Sequence, residues 1–237
     1  MTQQGTARPL KFYGEGISYL PRLESKGSLI VIEGPDGSGR SSQIDLITSH
    51  LEAAGHAVIT TGLKRSELIG AGILEAKHTL PIGKKTLALF YAADFADQME
   101  HKIIPALHAG YVVLADRYIY TLMARSSVRG IPRSWSHDLF GFALKPDLVF
   151  YLDVPPEELF HRVFQKYGSL DYYESGADMG LSDDLYESFI LYQRGIAKEF
   201  KVMESKYGIA RIDGGKGIPE VNAELQNEID GYLRSLR

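Results

Sequence analysis

The chain has 237 residues, of which 44% are hydrophobic and 24% are charged, and its formal net charge is -4. A chain of this length can bury a full core, and we interpret it as one domain, although length alone would also allow two. The acidic balance argues against a broad nucleic-acid-binding face. Because the sequence has no cysteine, disulfides and thiolate metal sites are excluded.

The same composition bears on the compartment in which the protein works. Residues 1–26 lack the long apolar core of a signal peptide, and no apolar run is long enough to span a bilayer. A cysteine-free chain suits a reducing environment. We therefore expect a cytoplasmic protein with neither a membrane nor a nucleic acid as partner.

Along the chain, short apolar runs alternate with segments of helical spacing. Residues 1–27 lie outside this pattern, and we expect an N-terminal extension that is either disordered or packed against the core. The predicted strands are 28–33, 57–61, 111–115, 147–152 and 208–212. The predicted helices are 41–54, 66–77, 84–109, 134–144, 156–167, 183–206 and 219–236. The alternation predicts an α/β fold in residues 28–237, a doubly wound parallel sheet of five strands with helices on both faces.

A glycine-rich loop, G-P-D-G-S-G-R-S-S at 34–42, joins the first predicted strand to the first predicted helix. It fits the phosphate-binding pattern G-x-x-x-x-G-K-[ST] at every fixed position except the lysine. Glycines let such a loop turn tightly and point its N–H groups at one anion, and the following helix N-terminus adds to the attraction. The residues that we expect to bind a nucleotide are Gly34, Asp36, Gly37, Ser38, Gly39, Arg40, Ser41 and Ser42.

Arg40 stands where the pattern has lysine. Lysine carries a compact ammonium that can follow a migrating phosphoryl group, whereas arginine carries a planar fork that pairs two phosphate oxygens at once. We expect phosphate binding to survive this exchange. Whether transfer chemistry survives it is open, because an interaction that stabilises ground state and transition state equally accelerates nothing.

Asp116 and Arg117 directly follow the third predicted strand. The carboxyl ends of parallel strands meet at one edge of the sheet, so both side chains should lie beside the phosphate loop. Asp116, together with the Ser41 hydroxyl, suits Mg²⁺ or its waters, and Arg117 suits a phosphate under transfer. Taken alone, the pair equally fits a strand-end ion pair; beside the loop at 34–41 we favour the functional interpretation.

A long polar segment at about 168–184 separates two predicted helices. Loops of this length inside a compact domain are usually functional or disordered. We expect a mobile lid over the site.

With these motifs in place, the chain resembles the thymidylate kinase family, over about residues 28–212. The matching stretches, in order, are the E-G-x-D-G-x-G loop, Leu-Phe-Tyr-Ala-Ala-Asp at 89–94, Asp-Arg-Tyr at 116–118, and Lys-Pro-Asp-Leu-Val-Phe-Tyr-Leu-Asp-Val at 145–154. The resemblance implies a nucleoside monophosphate kinase of nucleotide biosynthesis, a transferase that uses ATP and Mg²⁺. It also implies a homodimer, paired through helices beside the sheet. The apolar side of residues 84–109 could serve for this pairing, although burial inside the monomer explains that stripe equally well.

The resemblance assigns roles to further residues by position. Asp36 would contact the acceptor's sugar hydroxyl, Arg65 would hold the acceptor monophosphate, and Arg117 would bridge acceptor and donor phosphates. Tyr91 would stack on the acceptor base, although its apolar helical face fits a core residue equally well. Arg162 would lie against the donor adenine, and Tyr173 fits a lid motif with its neighbour Glu174. Solvated surface charges are the alternative reading for Arg65 and Arg162.

Three positions depart from the family pattern. Phe95 stands where the family usually has an arginine that reads the pyrimidine edge, so the preference for thymine is open. Arg125 stands where another ring contact to the base is common, and its planar face could stack instead. The lid has no lysine or arginine between Tyr167 and Gln193, and Ser38 and Tyr172 hold the positions at which the family supplies an arginine.

The function that we expect is Mg²⁺-dependent transfer of the γ-phosphoryl group of ATP to a nucleoside monophosphate, with dTMP as first candidate. Arg40, Asp116 and Arg117 would act on the transferred phosphate by positioning and charge neutralisation. Two alternatives stay open. Arg40 and the acidic lid favour a nucleotide-binding protein with little or no catalysis, and Phe95 favours a kinase with a different acceptor.

Overall fold

In a computed structural model of the protein, the described residues are 7–17, 19, 24–79 and 82–236, without the side chains of 77–79. Two short strands, β1 (Arg8–Pro9) and β2 (Glu24–Ser25), form an antiparallel pair near the N-terminus. Five parallel strands form the central sheet: β3 (Ser28–Glu33), β4 (Val58–Gly62), β5 (Val112–Asp116), β6 (Leu148–Asp153) and β7 (Ala210–Asp213). Their order across the sheet is β4-β5-β3-β6-β7.

Helices cover both faces of this sheet, which confirms the predicted doubly wound α/β architecture. They are α1 (Arg40–Ala53), α2 (Gly70–Thr79), α3 (Lys84–Gln98), α4 (Ile104–His108), α5 (Ile119–Val128), α6 (Arg133–Leu139), α7 (Pro156–Tyr167), α8 (Leu185–Tyr207) and α9 (Ile218–Ser235). None of the helices among the described residues is both long enough and apolar enough to cross a membrane.

Alternate residues of the strands feed two separate cores. Ile30 and Ile32 of β3 pack with Ile47 of α1 and Leu225 of α9 on one face. Val31 on the same strand belongs to a larger core with residues of α3, α5 and α8. Because strand side chains alternate between faces, continuous apolar strands are what burial on both faces requires.

The single long helix predicted over 84–109 contains one irregular turn. A π-helical turn, Met99–Ile103, joins α3 to α4, and Pro105 follows it closely. Proline has no backbone N–H to donate to an earlier carbonyl, and its ring crowds the preceding turn. The wider π turn accommodates this interruption while the helix continues.

Two predicted helices have a different end in the structure, and one helix of the structure was not predicted. The helix predicted over 66–77 begins only at Gly70, because the Ser66 hydroxyl accepts hydrogen bonds from the N–H groups of Leu68 and Ile69 in a turn. The helix predicted over 134–144 ends at Leu139. Helix α5 was not predicted at all. Residues 119–124 are all buried, so its sequence lacks the polar face that makes a helix recognisable.

The described part of the N-terminal extension packs near the amino ends of β3 and β6. Arg8 donates to the Asp147 carboxylate at 2.9 Å, to the Tyr232 hydroxyl at 2.7 Å and to the Gly27 carbonyl at 2.8 Å. Phe12 forms an isolated bridge with Leu144. Of the two states expected for this segment, packing applies to these residues.

Candidate active site

The loop after β3 has the backbone that phosphate-binding loops require. Gly37 and Gly39 have φ angles of +82° and +89°, a region that side chains other than glycine's strongly disfavour. Gly39 caps the N-terminus of α1, so the free N–H groups of the first helical turn face the loop. Ser41 and Ser42 are exposed at the start of that helix, and Ser38 is buried inside the loop.

Arg40 is buried beneath the loop rather than extended into solvent. Its Nε donates to Asp116 Oδ1 at 2.8 Å, and its Nη1 donates to the carbonyls of Gly34 and, at 2.6 Å, Pro35. Burial disfavours the charge, yet Asp116 and Asp36 raise the pKa of Arg40 above its usual value. The substituted residue therefore ties the phosphate loop to the end of β5.

Arg117 comes into the same cluster from the end of β5. Its Nη2 donates to Asp36 Oδ1 at 2.7 Å and its Nε to the Gly34 carbonyl at 3.3 Å. Burial and the neighbouring Arg40 lower its pKa. Although burial acts in the opposite direction, Arg117 and Arg40 lower the pKa of Asp36. The structure thus brings together the four side chains that the sequence selected at this edge: Asp36, Arg40, Asp116 and Arg117.

Arg117 also has a strained backbone, with φ of +70°. Such a conformation costs a non-glycine residue about 1–2 kcal/mol and persists only where surrounding contacts enforce it. Glu33 provides these contacts: its buried carboxylate accepts from the N–H of Tyr118 at 2.9 Å and of Thr121 at 3.1 Å. Burial raises the pKa of Glu33. One carboxylate therefore links the last residue of β3 to the first turn of α5.

Arg65 lies at the same edge, half-exposed, with its Nη2 3.7 Å from Asp116 Oδ2. The turn that carries it is held by Asp94 of α3. The Asp94 carboxylate, fully buried, accepts from the backbone N–H of Lys64 at 2.8 Å and of Ser66 at 2.9 Å. Lys64 between these contacts has φ of +61°. Asp94 thus fixes the backbone on both sides of Arg65.

A narrow cleft opens beside this cluster, between α3, α5 and the segment predicted as a lid. Its walls are aromatic and aliphatic with a few polar groups, and its lining residues are Lys84, Leu87, Ala88, Tyr91, Leu122, Arg125, Ser126, Arg129 and Tyr173. Tyr91 is only 5% exposed and belongs both to this lining and to the core, so its two predicted roles are compatible. Tyr173 and Arg125 also line this cleft.

Phe95 does not belong to this cleft, and its prediction as a substrate contact is wrong for this structure. Its side chain is 1% exposed and packs edge-on against Tyr118, with ring centroids 4.7 Å apart, and beside Phe142. An apolar ring is stabilised by such burial and by edge-on contact with other aromatic rings. In this structure the Phe95 side chain is therefore not placed to contact a base.

Arg125 of α5 and Arg129, the residue that follows α5 and caps its C-terminus, both contact the segment predicted as a lid. Arg125 Nη2 lies 2.6 Å from the Glu174 carboxylate, and Arg129 forms a two-bond pair with Asp178, at 2.7 and 2.9 Å. Arg129 also donates to the Tyr173 carbonyl. Stacking of Arg125 stays a prediction, because in this structure its guanidinium is ion-paired.

Arg162 of α7 contacts the phosphate loop from the other side. It donates to the carbonyls of Gly37 at 3.4 Å and Gly214 at 3.2 Å, and it pairs with Glu158 one helical turn away. These contacts distinguish it from a freely solvated surface charge. They place it between the loop and the turn that follows β7.

The sequence reasoning overlooked Glu33 and Asp94, the two buried carboxylates that hold the site's backbone. A signal for Asp94 was present: a charge between Tyr91 and Gln98, on the face of α3 that is otherwise apolar. A charged residue on a core-facing stripe calls for buried hydrogen-bond donors. Glu33, at the end of an apolar strand, carried the same signal.

Known proteins of one family are similar in sequence to this chain. Residues 32–175 match the sequence profile of the family described as thymidylate kinase. The chain is 34% identical over 209 residues to the probable thymidylate kinase 2 of Saccharolobus solfataricus, covering 88% of this chain and 98% of the relative. It is 38% identical to the probable thymidylate kinase of Thermococcus kodakarensis, over 56% of this chain and 70% of that protein. With the thymidylate kinase of Brachyspira hyodysenteriae it shares 32% identity, over 69% and 81% respectively.

Proposed function

Because the chain belongs to the thymidylate kinase family, and is thereby a nucleoside monophosphate kinase, we propose that it transfers the γ-phosphoryl group of ATP to dTMP. We propose further that the reaction needs Mg²⁺, that residues 168–184 form a lid on the domain spanning 28–237, and that two chains associate into a homodimer. The observation that carries the proposal is the cluster of Asp36, Arg40, Asp116 and Arg117 at one sheet edge.

Phosphoryl transfer needs little covalent help from a protein, so positioning and charge neutralisation are the tasks to assign. The phosphate loop and Arg40 hold the donor's phosphates, and Arg162 supports the adenine end. Arg117 bridges the two substrates, since it lies within 2.7 Å of Asp36, the residue proposed for the acceptor's sugar. Arg65, held by its anchored turn, takes the acceptor's phosphate.

The chemistry of the residues present fits Mg²⁺. Magnesium prefers hard oxygen ligands and keeps several waters, so it needs only one or two protein groups. Ser41 offers a hydroxyl at the start of α1, and Asp116 offers a carboxylate whose Oδ1 already accepts from Arg40. When bound, the ion would neutralise charge between the donor's phosphates.

The hydrogen bonds of Arg40 show which contacts a bound nucleotide must replace. In the described structure its donors go to loop carbonyls and to Asp116, so binding of a triphosphate exchanges part of these partners for phosphate oxygens. A working kinase differs from a protein that only binds nucleotides in that the contact of Arg40 with phosphate strengthens in the transition state. The second function, nucleotide binding with little catalysis, is therefore the alternative to test.

A coupled assay of ADP release across a panel of nucleoside monophosphates tests the proposal. We expect turnover with ATP and dTMP that stops when Mg²⁺ is removed with a chelator and returns when it is restored. Calorimetry with Mg-ATP runs beside it. Tight ATP binding without phosphorylation of any monophosphate would overturn the kinase proposal in favour of the nucleotide-binding protein. Faster turnover of another acceptor would overturn dTMP alone.

A further inference from the structure

We propose that Arg125 selects the acceptor base, and that it selects bases that present a keto oxygen. The inference rests on the proposed function, since it places the acceptor base in the cleft between α3, α5 and the segment 168–184. The resemblance offered Arg125 only as a stacking partner for the base, whereas this inference assigns it hydrogen bonds to the edge of the base.

The three cations that line this cleft, Lys84, Arg125 and Arg129, differ in how many of their N–H donors already have a partner. All five N–H groups of Arg129 are engaged, on Asp178, Tyr173, Tyr192 and Arg125. Lys84 Nζ donates to the Arg129 carbonyl at 2.9 Å. Arg125 uses only Nη2, on Glu174, and its Nε and Nη1 have no hydrogen-bond partner among the described residues. Arg125 therefore lines the cleft with N–H donors that a ligand can use.

Arg125 is also held in place before any ligand arrives. Its side chain is 13% exposed, and the Glu174 carboxylate, 15% exposed, lies 2.6 Å from Nη2. A guanidinium that a carboxylate already holds in place loses little additional conformational entropy when its remaining donors bind a ligand. The open donors therefore present a fixed pattern to whatever lies against Tyr91.

A guanidinium discriminates where a hydroxyl does not. Serine and tyrosine hydroxyls both donate and accept, so Ser126 and Tyr91 can satisfy either a keto or an amino group. Arginine only donates. A base with a keto oxygen toward Arg125 completes a charge-assisted hydrogen bond, whereas an amino group there leaves two buried donors facing each other without an acceptor.

The burial of Phe95 supports this assignment. The residue at the position expected to read the base edge lies in the aromatic core against Tyr118 and takes no part in the cleft. Arg125 lines the cleft and supplies donors that Phe95 cannot. Pairing with Glu174 also couples base recognition to the segment that closes over it.

The test compares dUMP with dCMP, whose pyrimidines differ in a 4-keto against a 4-amino group and in protonation of the neighbouring ring nitrogen. Binding of each to the full chain is measured by calorimetry, and kcat and KM by the coupled assay. We expect the wild-type protein to prefer dUMP by about tenfold or more. In Arg125→Met that preference falls to within about twofold, through a raised Kd and KM for dUMP with a smaller change in kcat.

Controls separate recognition from folding. Arg133→Met removes an exposed arginine paired with Glu199 outside the cleft and should leave the preference unchanged. Arg125→Met combined with Glu174→Gln removes the carboxylate that the single change leaves unpaired, and thermal unfolding verifies that both variants fold. An unchanged dUMP preference in the double variant, or no preference in the wild type, overturns the inference. Because binding needs no ATP, a protein that binds dUMP selectively but never phosphorylates it refutes the proposed function and not this one.

Discussion

Arg40 makes contacts that a lysine at the same position could not make together. Its planar fork reaches Asp116 with one nitrogen and two loop carbonyls with another. A lysine has three donors on a single nitrogen, so it cannot reach Asp116 and both loop carbonyls at once. The arginine therefore has a structural role in the phosphate loop in addition to the phosphate contact proposed for it.

Asp94 is a positioning residue for Arg65, and its replacement tests that role. Asp94→Asn puts an amide N–H against a backbone N–H and releases one side of the turn that carries Arg65. We expect KM for the acceptor monophosphate to rise about tenfold while kcat changes less, because a slightly misplaced guanidinium binds phosphate poorly. Steady-state kinetics measure both constants.

Two comparisons keep the Asp94 result specific. Calorimetry should give the same affinity for Mg-ATP, which does not touch this turn, and Asp138→Asn, with 82% of its side chain exposed, should change nothing. A parallel loss of ATP affinity would point to general loosening of the fold instead. An acceptor KM equal to that of the wild type would contradict the positioning role.

At the scale of elements, the C-terminal end of α5 pairs with residues 168–184, the segment proposed as a lid. Arg129, which caps α5, is buried and pairs with Asp178 through two hydrogen bonds, and burial is offset by Asp178 and Tyr192 so that the pKa of Arg129 is raised. Removing one partner of such a pair leaves a charge without compensation. The lid segment is therefore tied to the same helix that carries the cleft's polar wall.

A double-mutant cycle on Arg129 and Asp178 measures this tie. We expect Arg129→Met to lower the free energy of unfolding by about 3 kcal/mol. Adding Asp178→Asn to it should cost less than Asp178→Asn alone, with a coupling energy of about 1–3 kcal/mol. Urea unfolding gives the energies, and hydrogen exchange should accelerate within 170–180. Additive energies with unchanged exchange would show that the pair does not hold the segment.

The elements also show how far sequence reasoning reaches. Strands β3 to β7 were predictable because burial on both faces leaves continuous apolar runs, and β3 agrees with its prediction at both ends. Helix α5 was not, since a helix buried nearly all round has no periodic polar face. The residues at the phosphate loop and at 116–117 were predictable from spacing. The fate of Phe95 was not, because it depends on Tyr118 and Phe142, which only the folded chain brings near it.

For the whole molecule, the apolar side of residues 84–98 is buried in the core of the single chain and is therefore not exposed for pairing. Leu87, Tyr91 and Phe95 of α3 are buried within one chain. The outer surfaces of α2 and α3 instead expose Leu74 (45%) and Leu89 (50%). We expect the proposed homodimer to use this surface, because pairing would remove both leucines from water.

Light scattering tests the dimer directly. The mass of the wild-type protein should be twice the 26.3 kDa of one chain. Leu89→Glu places a charge in the interface and should lower the measured mass toward that of one chain. A wild-type protein of monomer mass at assay concentration contradicts the dimer. A dimer insensitive to Leu89→Glu places the interface elsewhere.

The central claim is that a loop with a guanidinium in place of an ammonium binds ATP's phosphates and supports their transfer. Its most direct test is kcat with saturating Mg-ATP and dTMP for the wild type, Arg40→Lys and Arg40→Met. We predict measurable turnover for the wild type, retained activity for the lysine variant, and a loss of about 100-fold or more for the methionine variant. Turnover in Arg40→Met equal to that of the wild type would contradict the claim.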